Sequence, residues 1–157
     1  DDPVILREIF NSLNEISIKL PILFPVHPRA KINIDKLNGD FIGNITFCDP
    51  LGYLDFLKVM SGSRFVLTDS GGIQEETTVL GIPCLTIRNN TERPVTVLQG
   101  TNILVGTKKE IIVQEAEKIL KGITRENKIP ELWDGKAAER IVDILVSSPK
   151  ETKSLNA

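Results

Sequence analysis

The chain is poor in the residues from which metal centres and disulfide frameworks are built. Its 157 residues include one histidine, His27, and two cysteines, Cys48 and Cys84. A lone histidine leaves little room for a multi-histidine metal site, and two cysteines fit neither a disulfide scaffold nor a tetrahedral metal site. Both cysteines lie in strand-like apolar runs, so they read as buried free thiols in a reducing cytoplasm. The reading carries no metal and no cofactor. Neither sign of charge is in excess: 19 Lys and Arg stand against 21 Asp and Glu, a net of −2. Such a balance carries no electrostatic footprint for nucleic acid or an anionic membrane. No apolar run approaches the roughly 18 residues of a membrane span. The opening DDPVILREIF lacks the basic stretch of a secretion signal.

What is present is an ordinary globular composition, 41 % hydrophobic and 25 % charged, at a length that suits one domain. Asp2 is an N-cap candidate, Pro3 suits the first helical position, and Ile5, Leu6, Ile9, Phe10, Leu13 and Ile16 recur at helical spacing up to Pro21. A short strand over 22–26 follows, then a polar stretch at 29–43 that reads as a short helix or loop. From there the alternation is regular. Strands are predicted at 45–48, 65–68, 84–87 and 103–105. Helices are predicted at 53–60 (Leu54, Leu57 and Met60 inward), 73–80, 94–99, 109–121 and 136–146. The segment 147–157 reads as a polar, unstructured tail. Short apolar strands alternating with helices imply an α/β domain: a parallel, Rossmann-like sheet with helices on both faces, spanning residues 1–146. The chain opens on a helix, where a doubly wound domain opens on a strand.

In open parallel sheets ligands bind beyond the carboxyl ends of strands, so the strand-to-helix turns are the places to search. The most distinctive is FVLTDSGGIQEE, residues 65–76. Ser70 can cap the helix, Gly71 and Gly72 let backbone amides approach a ligand, and the helix N-terminus favours an anion. A phosphate cradle and a plain capped turn are both consistent with this pattern. Two acids follow, Glu75 and Glu76. They can complement the helix dipole, hold a metal, or face a neutral part of a phosphorylated ligand, such as a ribose diol. The second candidate is Thr91-Glu92-Arg93-Pro94, beyond the next strand. Pro94 can begin a helix capped from this turn, and Arg93 carries a bidentate fork suited to phosphate. His27, between two proline-containing segments, reads more simply as a loop residue than as an acid or base. Helical spacing makes core packing the default for Tyr53 and Phe56.

Taken together, LTDSGGIQEET, LGIPCLTIRNNTERP and GTNILVG, with FPVHPR and DPLGYLDFL upstream, closely resemble the nonhydrolysing UDP-N-acetylglucosamine 2-epimerases from Asp1 to about Val146. The resemblance implies the C-terminal, nucleotide-binding half of a GT-B architecture. It implies interconversion of UDP-GlcNAc and UDP-ManNAc by elimination of UDP to a 2-acetamidoglucal intermediate and its re-addition, usually for surface-glycan supply. Carried over by position, Phe56 faces uracil, Glu76 the ribose hydroxyls, and Ser70, Gly71 and Gly72 the diphosphate, with Arg93 fixing that end. The family's catalytic acids belong to an N-terminal part, and its C-terminal half opens on a strand. The resemblance therefore implies that this chain lacks the first strand, holds no catalytic residue and is inactive alone. It implies further that the chain binds UDP weakly or not at all by itself and that full-length relatives are commonly homodimers. A UDP-sugar glycosyltransferase, a hydrolysing epimerase and a non-enzymatic nucleotide-binding domain are the alternatives.

Overall fold

The computed structural model describes residues 2–35 and 43–147. Seven helices and five strands lie within them: α1 (Pro3–Ser17), β1 (Ile22–Pro25), α2 (Pro28–Asp35), β2 (Ile45–Cys48), α3 (Tyr53–Ser61), β3 (Val66–Thr68), α4 (Gly71–Leu80), β4 (Cys84–Thr86), α5 (Pro94–Leu98), β5 (Asn102–Leu104), α6 (Lys109–Leu120) and α7 (Ala137–Ser147). The expected alternation is present and every strand pair is parallel. The predicted tail begins inside α7, whose last residue is Ser147; residues 148–157 lie outside the described set.

Local chemistry accounts for the helix ends. The Asp2 carboxylate accepts from the Val4 N–H at 2.8 Å and from Ile5, satisfying donors that the first turn of α1 leaves open. Gly81 closes α4 at φ +71°, a left-handed turn that a residue with a Cβ adopts only at a cost. Residues 18–20 form a turn before Pro21, so α1 ends earlier than the periodicity predicts.

The strands form two sheets, β1–β2 and β3–β4–β5, where one continuous sheet was predicted. The two share their packing: Ile22 of β1 and Leu67 of β3 each lie against both apolar clusters.

Alternation along β4 separates two unlike faces. Leu85 points into an apolar cluster with Ile16 of α1 and Ile112, Ala116 and Ile119 of α6. Cys84 and Thr86 point the other way, and all three residues are fully buried. On that second side Thr86 donates to Asn102, which in turn reaches Gln74 of α4. One face of the β3–β4–β5 sheet is thus closed by aliphatic packing, and the opposite face by amides and hydroxyls. Burial pushes the Cys84 thiol up, as expected for an inert buried thiol, while Cys48 is half-buried rather than buried.

Candidate functional site

Because β3, β4 and β5 are parallel and in register (Thr68 beside Thr86 beside Leu104), their carboxyl ends open at one edge. From β3 the chain passes through Asp69-Ser70 into α4, and from β4 through residues 87–93 into α5. The two turns singled out in the sequence therefore meet. A Cβ placed on Gly71 would lie 3.9 Å from Cγ of Arg93. Arg93 Nε lies 2.8 Å from Glu75 Oε1, an ion pair in which the N–H is not aligned on the oxygen.

Ser70 occupies the N-cap of α4 with extended backbone, as predicted, but its side chain does not close onto the helix. The first-turn amides of α4 receive no hydroxyl from it, and Ser70 itself is exposed. Its N–H is held by the Thr68 hydroxyl at 3.1 Å, which anchors the turn to the end of β3.

The glycines divide into two kinds. At Gly100 a Cβ would strike the Thr78 side chain and come within 2.7 Å of the Thr96 carbonyl, so the fold itself demands glycine there. Gly71 and Gly72 are different. Neither has positive φ, and a Cβ would meet nothing nearer than 3.9 Å at Gly71 or 4.0 Å at Gly72. The chain's own packing does not require glycine at either position.

The structure also separates the two acids. Glu75, one turn below Gly71, is committed to Arg93. Glu76, one turn below Gly72 and half-buried, takes part in no ion pair among the described residues. A helical turn from residue 72 to residue 76 spans about 6 Å. Phe56 sits half-buried on α3, which packs against α4, and outside the ring cluster of Phe10, Phe24 and Phe47. Two packing expectations on α3 are corrected. Leu54 and Tyr53 are exposed, because within α3 only Met60 is buried, with Phe56 and Leu57 half-buried, rather than its whole apolar stripe. His27 is exposed at the carboxyl end of β1, where its carbonyl accepts from Ala30 and Lys31 at the start of α2. Among the described residues no group of three or more His, Cys, Asp or Glu converges to hold a metal. A cavity of about 50 Å³ beside Pro83 and Thr101 lies at the opposite end of the strands.

What sequence reasoning missed is the polar layer beneath the turns. Gln74, Thr77, Thr78, Thr86, Thr96 and Asn102 are all fully buried. Their sequence signal is the spacing of Gln74, Thr77 and Thr78 on one helix face, where an apolar stripe is the rule.

The sequence model described as UDP-N-acetylglucosamine 2-epimerase matches residues 1–146. The chain belongs to the UDP-N-acetylglucosamine 2-epimerase family. Similar proteins include the UDP-N-acetylglucosamine 2-epimerase of Methanococcus maripaludis, 39 % identical over 96 % of this chain and 42 % of that protein. The UDP-2,3-diacetamido-2,3-dideoxy-D-glucuronate 2-epimerase of Pseudomonas aeruginosa is 39 % identical over 92 % of this chain and 40 % of its own length. Among solved structures, the epimerase of Methanocaldococcus jannaschii in complex with UDP-GlcNAc and UDP superposes with a TM-score of 0.80 and 41 % identity. That superposition covers 94 % of this chain and 42 % of the other. The chain thus spans about two fifths of the family members it resembles. The α/β fold is theirs, and no described helix is long and apolar enough to cross a membrane.

Proposed function

We propose that this chain is the UDP-binding C-terminal part of a cytoplasmic, homodimeric UDP-GlcNAc 2-epimerase. The observation that carries the reading is the N-terminus of α4. It offers an open Ser70 hydroxyl and two glycines that the fold does not require, with Arg93 across the turn. A diphosphate meets three needs there at once: free backbone N–H donors, the positive end of a ten-residue helix, and a guanidinium. Glu76, left without a cation, faces the ribose hydroxyls one turn along, and Phe56 faces the uracil from α3.

The chemistry assigned to the whole protein is elimination of UDP and its re-addition. In the forward step the C1–O bond to the diphosphate breaks with its electron pair going to UDP, while the C2 proton is taken by a base. Ser70, Gly71, Gly72 and Arg93 serve the first half by stabilising the charge that grows on the departing diphosphate. The proton at C2 is assigned to the N-terminal part of the whole protein. The Pseudomonas relative is named for a different sugar on the same nucleotide. Under this proposal the turn selects for UDP, and a difference in sugar of the kind that name carries is read elsewhere in the protein.

The test is a titration of the chain with UDP, UMP and uridine, followed by amide chemical shifts. Shifts centred on 70–72 that strengthen with each phosphate, at weak affinity overall, are expected. Binding that ignores the phosphates would overturn the reading. A transferred sugar or released free ManNAc from the full-length protein would favour a glycosyltransferase or a hydrolysing epimerase instead.

A further inference from the structure

The N–H of Arg93 is held by a side chain, and its carbonyl accepts both from a side chain and from the Thr96 N–H at 3.0 Å in the first turn of α5. The Arg93 backbone, at φ −123° and ψ 60°, belongs to neither helix nor strand. The N–H of Arg93 donates to the Thr91 hydroxyl oxygen at 2.9 Å. That hydroxyl donates to Gln74 Oε1 at 2.6 Å. The same Gln74 oxygen accepts from Asn102 Nδ2 at 3.0 Å, and Nδ2 also donates to the Thr96 hydroxyl oxygen at 3.0 Å. Thr96 completes the path by donating to the Arg93 carbonyl at 2.7 Å.

The circuit begins and ends at one residue. Each hydroxyl donates its single proton once, so the directions are set by the chemistry of the groups themselves. Thr86 locks the far side by donating to Asn102 Oδ1 at 2.6 Å. Gln74 and Asn102 are fully buried, and Gln74 Nε2 has no partner. A buried amide N–H left without a partner is costly, so this arrangement is a poor choice if packing alone were its purpose.

We propose that Gln74 and Asn102 are positioning residues for Arg93. Through Thr91 they set its N–H, and through Thr96 they add a second hold on a carbonyl that α5 already engages, while Glu75, next to Gln74 on α4, holds the guanidinium from the side. Neither amide touches the ligand. Together they hold the stem of the arginine beside Gly71, at the N-terminus of α4, so that little ordering remains when a diphosphate arrives. The inference rests on the proposed role of Arg93 at the diphosphate.

The readout is the ratio of the uridine and UDP dissociation constants, measured on the chain by amide-shift titration. Arg93→Gln, which removes the fork, is expected to lower that ratio about tenfold. Thr91→Val keeps the shape and removes the hydroxyl that links Arg93 to Gln74. It is expected to lower the ratio about fivefold, the weight of one net hydrogen bond, with uridine binding unchanged. Thr91→Ser should restore it. Gln74→Met tests the amide directly; Thr91→Val, at a half-buried position, serves where Gln74→Met fails to fold. A Thr91→Val chain with a lowered melting temperature and an unchanged ratio would make the circuit purely structural and overturn the inference. If Arg93→Gln leaves the ratio unchanged, the diphosphate reading itself falls, and the inference with it.

Discussion

Glycine at position 72 and glycine at position 100 look alike in the sequence and do opposite things in the fold. Gly100→Ala drives a Cβ into Thr78 and the Thr96 carbonyl, and is expected to destabilise the chain by about 1–3 kcal/mol in denaturant unfolding. Gly72→Ala meets only Ser70 Oγ at 4.0 Å and should leave the unfolding midpoint in place. The same change blocks the approach of a diphosphate, and UDP affinity should fall about tenfold or more. Glu76→Ala belongs beside these: it should weaken UDP far more than 2′,3′-dideoxy-UDP, and equal losses would move the ribose elsewhere. Ser70, Gly71, Gly72 and Arg93 were legible because a glycine pair between strand and helix has few physical uses. Gln74 and Asn102 were not, because 28 positions separate them and only strand register brings the two amides together. Leu54 shows the converse failure, since helical periodicity names a stripe but not how much of it a neighbour covers.

At the scale of elements, each strand is only three or four residues long, so stability depends on what the helices bury against it. Leu85, fully buried at the centre of the α1–α6 layer, should lose about 3 kcal/mol as Leu85→Ala. Helices α1 and α6 are also joined by ion pairs, Lys109 to Glu15 at 2.9 Å and Lys19 to Glu117. Both are exposed enough to contribute little in salt. At the start of α7, Arg140 and the Lys136 N–H hold the Asp134 carboxyl well below the usual carboxylate range. A depressed folded pKa makes the contribution complete above the ordinary Asp pKa, and it fades as pH falls through the lower folded value. Amide exchange in α7 should therefore quicken only in strong acid, and Asp134→Asn should quicken it at neutral pH as well. Element types and order were readable from the 2.0 and 3.6 periodicities. The polar lining between α4 and its sheet was not, because buried Thr and Gln give no hydrophobic signal.

Across the whole molecule, β1 and β3 are each paired on one side only among the described residues, and Ile141, Val142, Leu145 and Val146 of α7 are exposed. Purified alone, the chain should not epimerise UDP-GlcNAc, since base and acid at C2 are assigned elsewhere. Anomeric NMR of a long incubation checks this, and a UDP-ManNAc signal would refute the division of labour. Composition, periodicity and the glycine turn were sufficient for an α/β domain and for the strand-to-helix turn at which a site was sought, because each is a local property of consecutive residues. Which acid holds Arg93, which is left for a ligand, and where the sheet divides depended on groups distant in sequence coming within a few ångströms. Short-range chemistry is written along the chain, whereas pairing across 17 or 28 residues exists only once the strands have found their register.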